Sequence, residues 1–107
     1  LSPSDINYRP RCCGSQAERD MAYHQGTVWP WLLGPFVEAY LRVYGNDGLL
    51  FVKTIYDNME AAIKENCIGT IGEIYDGDEP HTPRGAVAQA WSVAELLRIK
   101  SMVDKVY

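Results

Sequence analysis

The residues best suited to chemistry lie in one stretch, Gly69–Trp91, which reads GTIGEIYDGDEPHTPRGAVAQAW. It holds four acids (Glu73, Asp76, Asp78 and Glu79), Arg84, His81 and four glycines, and is too interrupted to be one helix. Its first half alternates. Ile71, Glu73 and Tyr75 point one way, and Gly72, Ile74 and Asp76 the other. One carboxylate, Glu73, therefore stands between two apolar neighbours, a setting that raises a carboxyl pKa and suits general acid or base work. An acidic surface turn accounts for the same composition. A second unusual stretch, MAYHQGTVWPWLLG at 21–34, gathers Tyr23, Trp29 and Trp31 beside His24 and Gln25. Flat rings with a polar edge suit the apolar face of a sugar, and they equally suit a core.

These stretches need a scaffold, and the rest of the chain supplies helices. Residues 1–20 are polar, Pro-containing and without hydrophobic period, and read as an extended arm. Pro30 suits a first helical turn, and Leu32, Leu33, Phe36, Val37, Tyr40, Leu41 and Tyr44 form one apolar face, predicting a helix over 30–44 that ends at Gly45-Asn46. Pro35 either kinks that helix or marks its true start. Asp47 is a plausible N-cap for a second helix over 47–65, with Leu50, Ile55, Met59, Ala62 and Ile63 inward and Lys53, Asp57, Glu60 and Lys64 in water. A short strand or hairpin is expected near 70–75. A third helix over 86–104, entered by the turn Pro83-Arg84-Gly85, carries a stripe of Val87, Ala90, Trp91, Ala94 and Leu97. Val93, Leu96 and Val103 widen it. The fold class is all-α with about three helices. Apolar faces this wide call for more neighbours than one small unit offers, so the chain reads as a piece of a larger helical assembly, open to self-association through those faces.

Composition narrows the function classes. At 107 residues, 47% hydrophobic, 22% charged and formal net charge −4, the chain has no basic stripe for a nucleic acid and no attraction for an anionic membrane. No apolar run approaches the ~20 residues of a membrane span, and no signal peptide is visible. Cys12, Cys13 and Cys67 form neither a disulfide framework nor a metal cage, so reduced thiols in a cytoplasmic protein are expected. His24 and His81 are too few for zinc, and no metal or other cofactor is expected. The chain starts at Leu1 rather than Met, which favours a longer parent.

Two long motifs carry a resemblance. Arg19-Asp20-Met21-Ala22-Tyr23-His24-Gln25-Gly26-Thr27-Val28-Trp29-Pro30-Trp31 is one. The other is Gly72-Glu73-Ile74-Tyr75-Asp76-Gly77-Asp78, continuing through Pro80-His81, Pro83-Arg84-Gly85 and Gln89-Ala90-Trp91-Ser92-Val93-Ala94-Glu95. In this order, over nearly the whole chain, they resemble the amylo-α-1,6-glucosidase domain of the glycogen debranching enzyme family. The resemblance implies an (α/α)6 barrel of which these helices are about the last quarter, completed by an upstream remainder. It implies a branched α-glucan substrate and hydrolysis of α-1,6-linked glucose with inversion. Inverting enzymes use two carboxyl groups, one protonating the leaving oxygen and one activating water. By resemblance Glu73 is the general base. The aspartate acid lies upstream and nothing in this chain matches it, Asp20 included, so the isolated chain should be close to inactive.

The resemblance assigns the remaining polar and aromatic residues to substrate or support. His24 and Gln25 would hydrogen-bond sugar hydroxyls, unless they tie the loop to the barrel. Trp29 and Trp31 would floor a sugar subsite, but residues two apart seldom face the same way, so one of them suits a core. Asp76 and Asp78 would bind hydroxyls or orient Glu73, with turn capping the alternative for Asp78. Trp91 would reach substrate and Gln89 would support; two apart on a helix, they diverge and only one reaches the site. Tyr23 and Arg84 are expected in support, Arg84 by neutralising the acids. Another (α/α)6 hydrolase, trehalase-like or glucoamylase-like, is the alternative within enzymes. A non-catalytic carbohydrate-binding or interaction fragment is the alternative outside them.

Overall fold

Helix ends and apolar spacing decide where this chain turns. The computed structural model describes residues 1–105. The order of elements is α1 (Gln16–Ala22), α2 (Leu33–Tyr44), α3 (Leu49–Ala62), β1 (Ile74–Tyr75), β2 (Pro83–Arg84) and α4 (Ala90–Asp104). It is a helical unit with one small antiparallel ribbon, the fold class expected from the sequence.

The arm expected over 1–20 is not extended throughout. Ser15 accepts a hydrogen bond from the Glu18 amide, and the Glu18 carboxylate reaches back to the Ser15 amide at 2.7 Å. This reciprocal cap satisfies donors that a helix start otherwise leaves open, so even the seven-residue α1 forms. The 3₁₀ turn Pro30–Leu32 leads into α2. Pro35 lies in the first turn of α2, where its missing N–H has no intrahelical acceptor to lose. Gly45, at φ +54°, ends α2 and donates its N–H to the Leu41 carbonyl.

Two expected helix starts move. Asp47 caps nothing: it lies in the 3₁₀ turn Gly45–Gly48, and α3 begins at Leu49 with no side-chain cap. The turn continues from one helix into the next, so no free N-terminus is left for Asp47 to serve. The third helix starts at Ala90 rather than Ala86, because Gln89 is still extended, its N–H paired with the Ile71 carbonyl at 2.9 Å.

The core is Val37 of α2, Val52 and Met59 of α3, Ile71, and Leu96, Ile99 and Val103 of α4. Burying each such side chain contributes about 1.5–3 kcal/mol. Two inward assignments reverse. Leu50 is 80% exposed, since the buried face of α3 runs through Val52, Ile55 and Met59. On α4 the buried stripe is Ser92, Leu96, Ile99 and Val103, at spacings of four, three and four. The stripe expected to lead, through Trp91 and Leu97, faces out, with Leu97 62% exposed. Val87 lies before the helix and is also exposed. Leu33, Tyr40 and Leu41 of α2 pack against the core, while Phe36 and Tyr44 lie outside it in a ladder of rings with Tyr40 and Phe51.

Where α2 crosses α4, Gly34 is buried against the Glu95 side chain, and a Cβ there would collide with its carboxylate. Arg98 holds Glu95 and Glu38 at 2.7 Å each, and Glu38 also meets Arg42. The crossing is thus fixed by a backbone notch and by charges at its rim.

Candidate functional site

The two polar stretches come together through backbone pairing. Val28 and Tyr75 exchange N–H···O=C bonds of 2.8 and 2.9 Å, while Ile74 faces Arg84 and Tyr75 faces Pro83 on the other side. The ribbon extends past its formal strands, with the Asp76 N–H on the Thr82 carbonyl at one end and the Gln89 N–H on Ile71 at the other. In an unbroken ladder Glu73 would face Gly85, but its N–H goes to the Ala86 carbonyl at 2.9 Å. Gly85, at φ +71°, is the extra residue of a bulge. The turn expected at Pro83-Arg84-Gly85 is this bulge, not a helix entry.

The bulge determines what holds Glu73. The Ala86 N–H, released from the ladder, donates to Glu73 Oε2 at 3.1 Å, and the Gln89 amide reaches Oε1 at 3.4 Å. The Tyr23 hydroxyl faces the same carboxylate; burial first, and the interaction with Glu73 second, push its phenol up to about 12. A side chain at position 85 would land on Glu73 Oε2, so glycine there answers both the backbone angle and the space. Glu73 is half-buried, met from two segments of the chain, by Ala86 and Gln89 on one and Tyr23 on the other.

Tyr23 links Glu73 to a wall of rings. It meets Trp29 edge-on at 4.7 Å and His24 at 4.9 Å, and His24 stacks on Trp29 with 13° between planes. The Tyr23 carbonyl accepts from Trp29 Nε1 at 3.0 Å and from Thr27 Oγ1 at 2.8 Å, which locks the loop. Trp91 joins this wall at 6.2 Å from Trp29 and 5.9 Å from Trp31. Trp29 and Trp31 therefore converge on one ring, contrary to the expected divergence. Trp29 is extended and Trp31 lies in the following 3₁₀ turn, so the chain bends between them. Gln89 and Trp91 likewise both reach this region, because only Trp91 is on the helix. Trp91 is 49% exposed, and Gln25 is tied through its backbone carbonyl to the Arg9 amide at 3.0 Å.

The acids separate into different settings. Asp76 is 2% exposed, with one oxygen on Arg84 Nε at 2.6 Å and the other on Nη2 at 3.0 Å. A carboxylate held by a two-pronged guanidinium offers nothing to solvent, and this pair braces the turn from inside. The His81 ring meets the Asp76 carbonyl at 2.9 Å. Asp78 is exposed, and one of its oxygens accepts from the Tyr8 hydroxyl at 3.0 Å. Among the described residues no His, Cys, Asp and Glu gather closely enough to hold a metal ion.

The roles of four residues, Gly85, Ala86, Tyr8 and Cys12, escaped the sequence reading. Gly85 and Ala86 form the bulge, and the Gly85 that reads in the sequence as part of a helix-entry turn was the available signal. Tyr8, a ring of the amino-terminal arm free to pack on a neighbour, is remote in sequence from both loops, and nothing local pairs it with Asp78. Cys12 lies close enough for its thiol to feel Arg19, Arg84 and Glu73; burial nonetheless pushes its pKa up. All three cysteines are free.

The model of the amylo-alpha-1,6-glucosidase family matches residues 1–98. The glycogen debranching enzyme of Saccharomyces cerevisiae is 44% identical over 46 residues, covering 37% of this chain. The matched part spans 3% of that protein's length. No solved structure matches the chain significantly.

Proposed function

The chain belongs to the amylo-alpha-1,6-glucosidase family, and we propose that it carries the general base and part of the sugar-binding wall of a site that hydrolyses α-1,6-linked glucose at branch points of a glucan. The single observation that carries this reading is the Glu73 carboxylate, half-buried at a bulge and met by Ala86, Gln89 and Tyr23 beside a wall of half-buried rings that ends in the exposed Trp91.

In the proposed reaction Glu73 takes a proton from a water on one face of the sugar, and that water attacks the anomeric carbon. The leaving oxygen departs with a proton from a second carboxyl group, so configuration inverts. The separation needed is about 6.5–9.5 Å, which leaves room for the water. That acid, we propose, comes from outside this chain, in the remainder of an (α/α)6 barrel whose last quarter these helices form. Trp29, Trp31 and Trp91 would stack on the apolar face of the sugar, and His24, Gln25 and Asp78 would receive its hydroxyls. Asp76 and Arg84 would hold the turn rather than touch substrate. Among the described residues no helix is long and apolar enough to cross a membrane, and free thiols fit a cytoplasmic setting.

The test is glucose release from a branched maltodextrin by the protein its native gene encodes, with Glu73→Gln alongside. Release by the parent with inverted anomer and none by Glu73→Gln supports the assignment. Release by the 107-residue chain alone would move the acid inside it, to Asp20, Asp76 or Asp78, and overturn the mechanism.

A further inference from the structure

Residues 8–10 touch both loops of the site. The Arg9 N–H donates to the Gln25 carbonyl at 3.0 Å, and the Pro10 carbonyl accepts from the Gly77 N–H at 2.9 Å. Between these bonds lies the Tyr8 ring. A Cβ at Gly26 would overlap that ring, and one at Gly77 would overlap both the Tyr8 hydroxyl and the Gly26 carbonyl. The two glycines thus form a slot that admits an aromatic ring and little else. At its end the Tyr8 hydroxyl donates to Asp78 Oδ1 at 3.0 Å. Asp78 Oδ2 has no partner among the described residues.

From this arrangement we infer that Tyr8 is a positioning residue of the site, fixing Asp78 through one oxygen so that the other is presented to a sugar hydroxyl. An exposed aspartate on a turn otherwise samples several rotamers, and a substrate must then bear the cost of ordering it. With Oδ1 engaged, Oδ2 is oriented before substrate arrives. At neutral pH the phenol is protonated and donates; burial first, and its hydrogen bond to Asp78 next, push its pKa further up. The inference rests on the reading above for Asp78 as a substrate ligand, but not on Glu73 as the base.

The test compares Tyr8→Phe, Tyr8→Ala, Asp78→Asn and Glu73→Gln in the protein its native gene encodes. The readouts are KM and kcat on branched maltodextrin, melting temperature, and hydrogen exchange at the Gly77 amide. Tyr8→Phe keeps the ring in its slot and is expected to raise KM about three- to tenfold, the scale of one lost hydrogen bond, with kcat within about twofold and melting unchanged. Combined with Asp78→Asn it should add little further: asparagine can still accept from Tyr8 through Oδ1, but the second oxygen that Tyr8 orients is already replaced by an amide NH2. Tyr8→Ala should also speed exchange at Gly77. If Tyr8→Phe leaves KM unchanged while Asp78→Asn raises it, the inference is overturned; it is overturned equally if KM changes only in step with melting. Full activity in Glu73→Gln would remove the base and leave the KM test of Tyr8 intact. If the parent releases no glucose, maltooligosaccharide affinity read by tryptophan fluorescence replaces KM, with the same expectation for Tyr8→Phe.

Discussion

In the bundle of α2, α3 and α4, Val37, Val52, Ile71 and Ile99 are buried among other hydrocarbon side chains, whereas around Glu73 almost every contact is a hydrogen bond or a ring edge. The first region gains its stability from area removed from water, which is non-directional and tolerates some change of shape. The second depends on donors brought from residues 8–10, 23–29, 72–78 and 84–89, and on glycines that leave no room for a methyl group. The bundle meets the ribbon at Ile71, one end of which lies in the core while the other leads to Glu73. The difference teaches that stability and site geometry in this chain can be perturbed separately, and variants can test how far.

Glu73→Gln should have the largest effect. Removing a general base typically costs about 10²–10⁴-fold in rate. Since glutamine can still accept from Ala86 and Tyr23, melting should move little. A kinetic assay with a thermal melt on the same sample checks both halves, and a large drop in melting would break the separation. Ile99→Ala is the mirror image. The side chain is fully buried, and its truncation should cost about 2–5 kcal/mol, read from denaturant unfolding. Its KM, measured well below the new midpoint, should stay near that of the parent.

Gly85→Ala comes next. It strains a backbone at φ +71° and sets a methyl group against Glu73 Oε2, so about 1–3 kcal/mol of stability should be lost together with much of the activity. This variant sharpens the comparison, because here the two quantities should fall together. A smaller effect concerns surface. Leu50 and Leu97 are exposed on α3 and α4, and the isolated 107-residue chain should self-associate through such faces. Sedimentation should show a concentration-dependent dimer or larger species that Leu97→Lys weakens.

How much of this was legible beforehand follows the same division. The bundle was readable where residues repeat at helical spacing, as for Leu33, Val37 and Leu41 on α2. It misled on α4, where two apolar stripes compete and periodicity cannot say which one a neighbour covers. The Ser15-Gln-Ala-Glu18 cap was readable and went unread, hidden in an arm judged by its prolines. At the site, Glu73 stood out by residue type and motif, but its holders did not. The pairing of Val28 with Tyr75, and of Tyr8 with Asp78, joins residues 47 and 70 apart, and no local rule encodes such contacts. Asp76 and Asp78 looked alike as acids two apart. Only the turn determines that one faces Arg84 inside and the other faces Tyr8 outside.

The smallest effect separates the two regions by titration. Tyr23, beside Glu73, and Tyr56, on α3, both have phenol pKa values raised to about 12. The causes differ in order. Burial leads for Tyr23, while for Tyr56 the hydrogen bond to Glu60 leads and burial follows. A phenol whose folded pKa exceeds its unfolded value near 10 contributes stability that is complete below about pH 10. That contribution is lost as pH rises through about 12, because the ionised ring must then sit half-buried and face a carboxylate. Absorbance at the phenolate band should therefore show a late-titrating component that shrinks in Tyr23→Phe and again in Tyr56→Phe. The two should part in their consequences. Tyr56 is half-buried on α3, with its hydroxyl on Glu60 at 2.6 Å and, among the described residues, no bond to the ribbon, so ionising it should leave the ribbon intact. Ionising Tyr23 should set a second negative charge against Glu73 and speed hydrogen exchange at the Ala86 amide before the helices open. Equal loss of protection at Ala86 and in the core of α4 would mean that the ribbon and the bundle open as one unit.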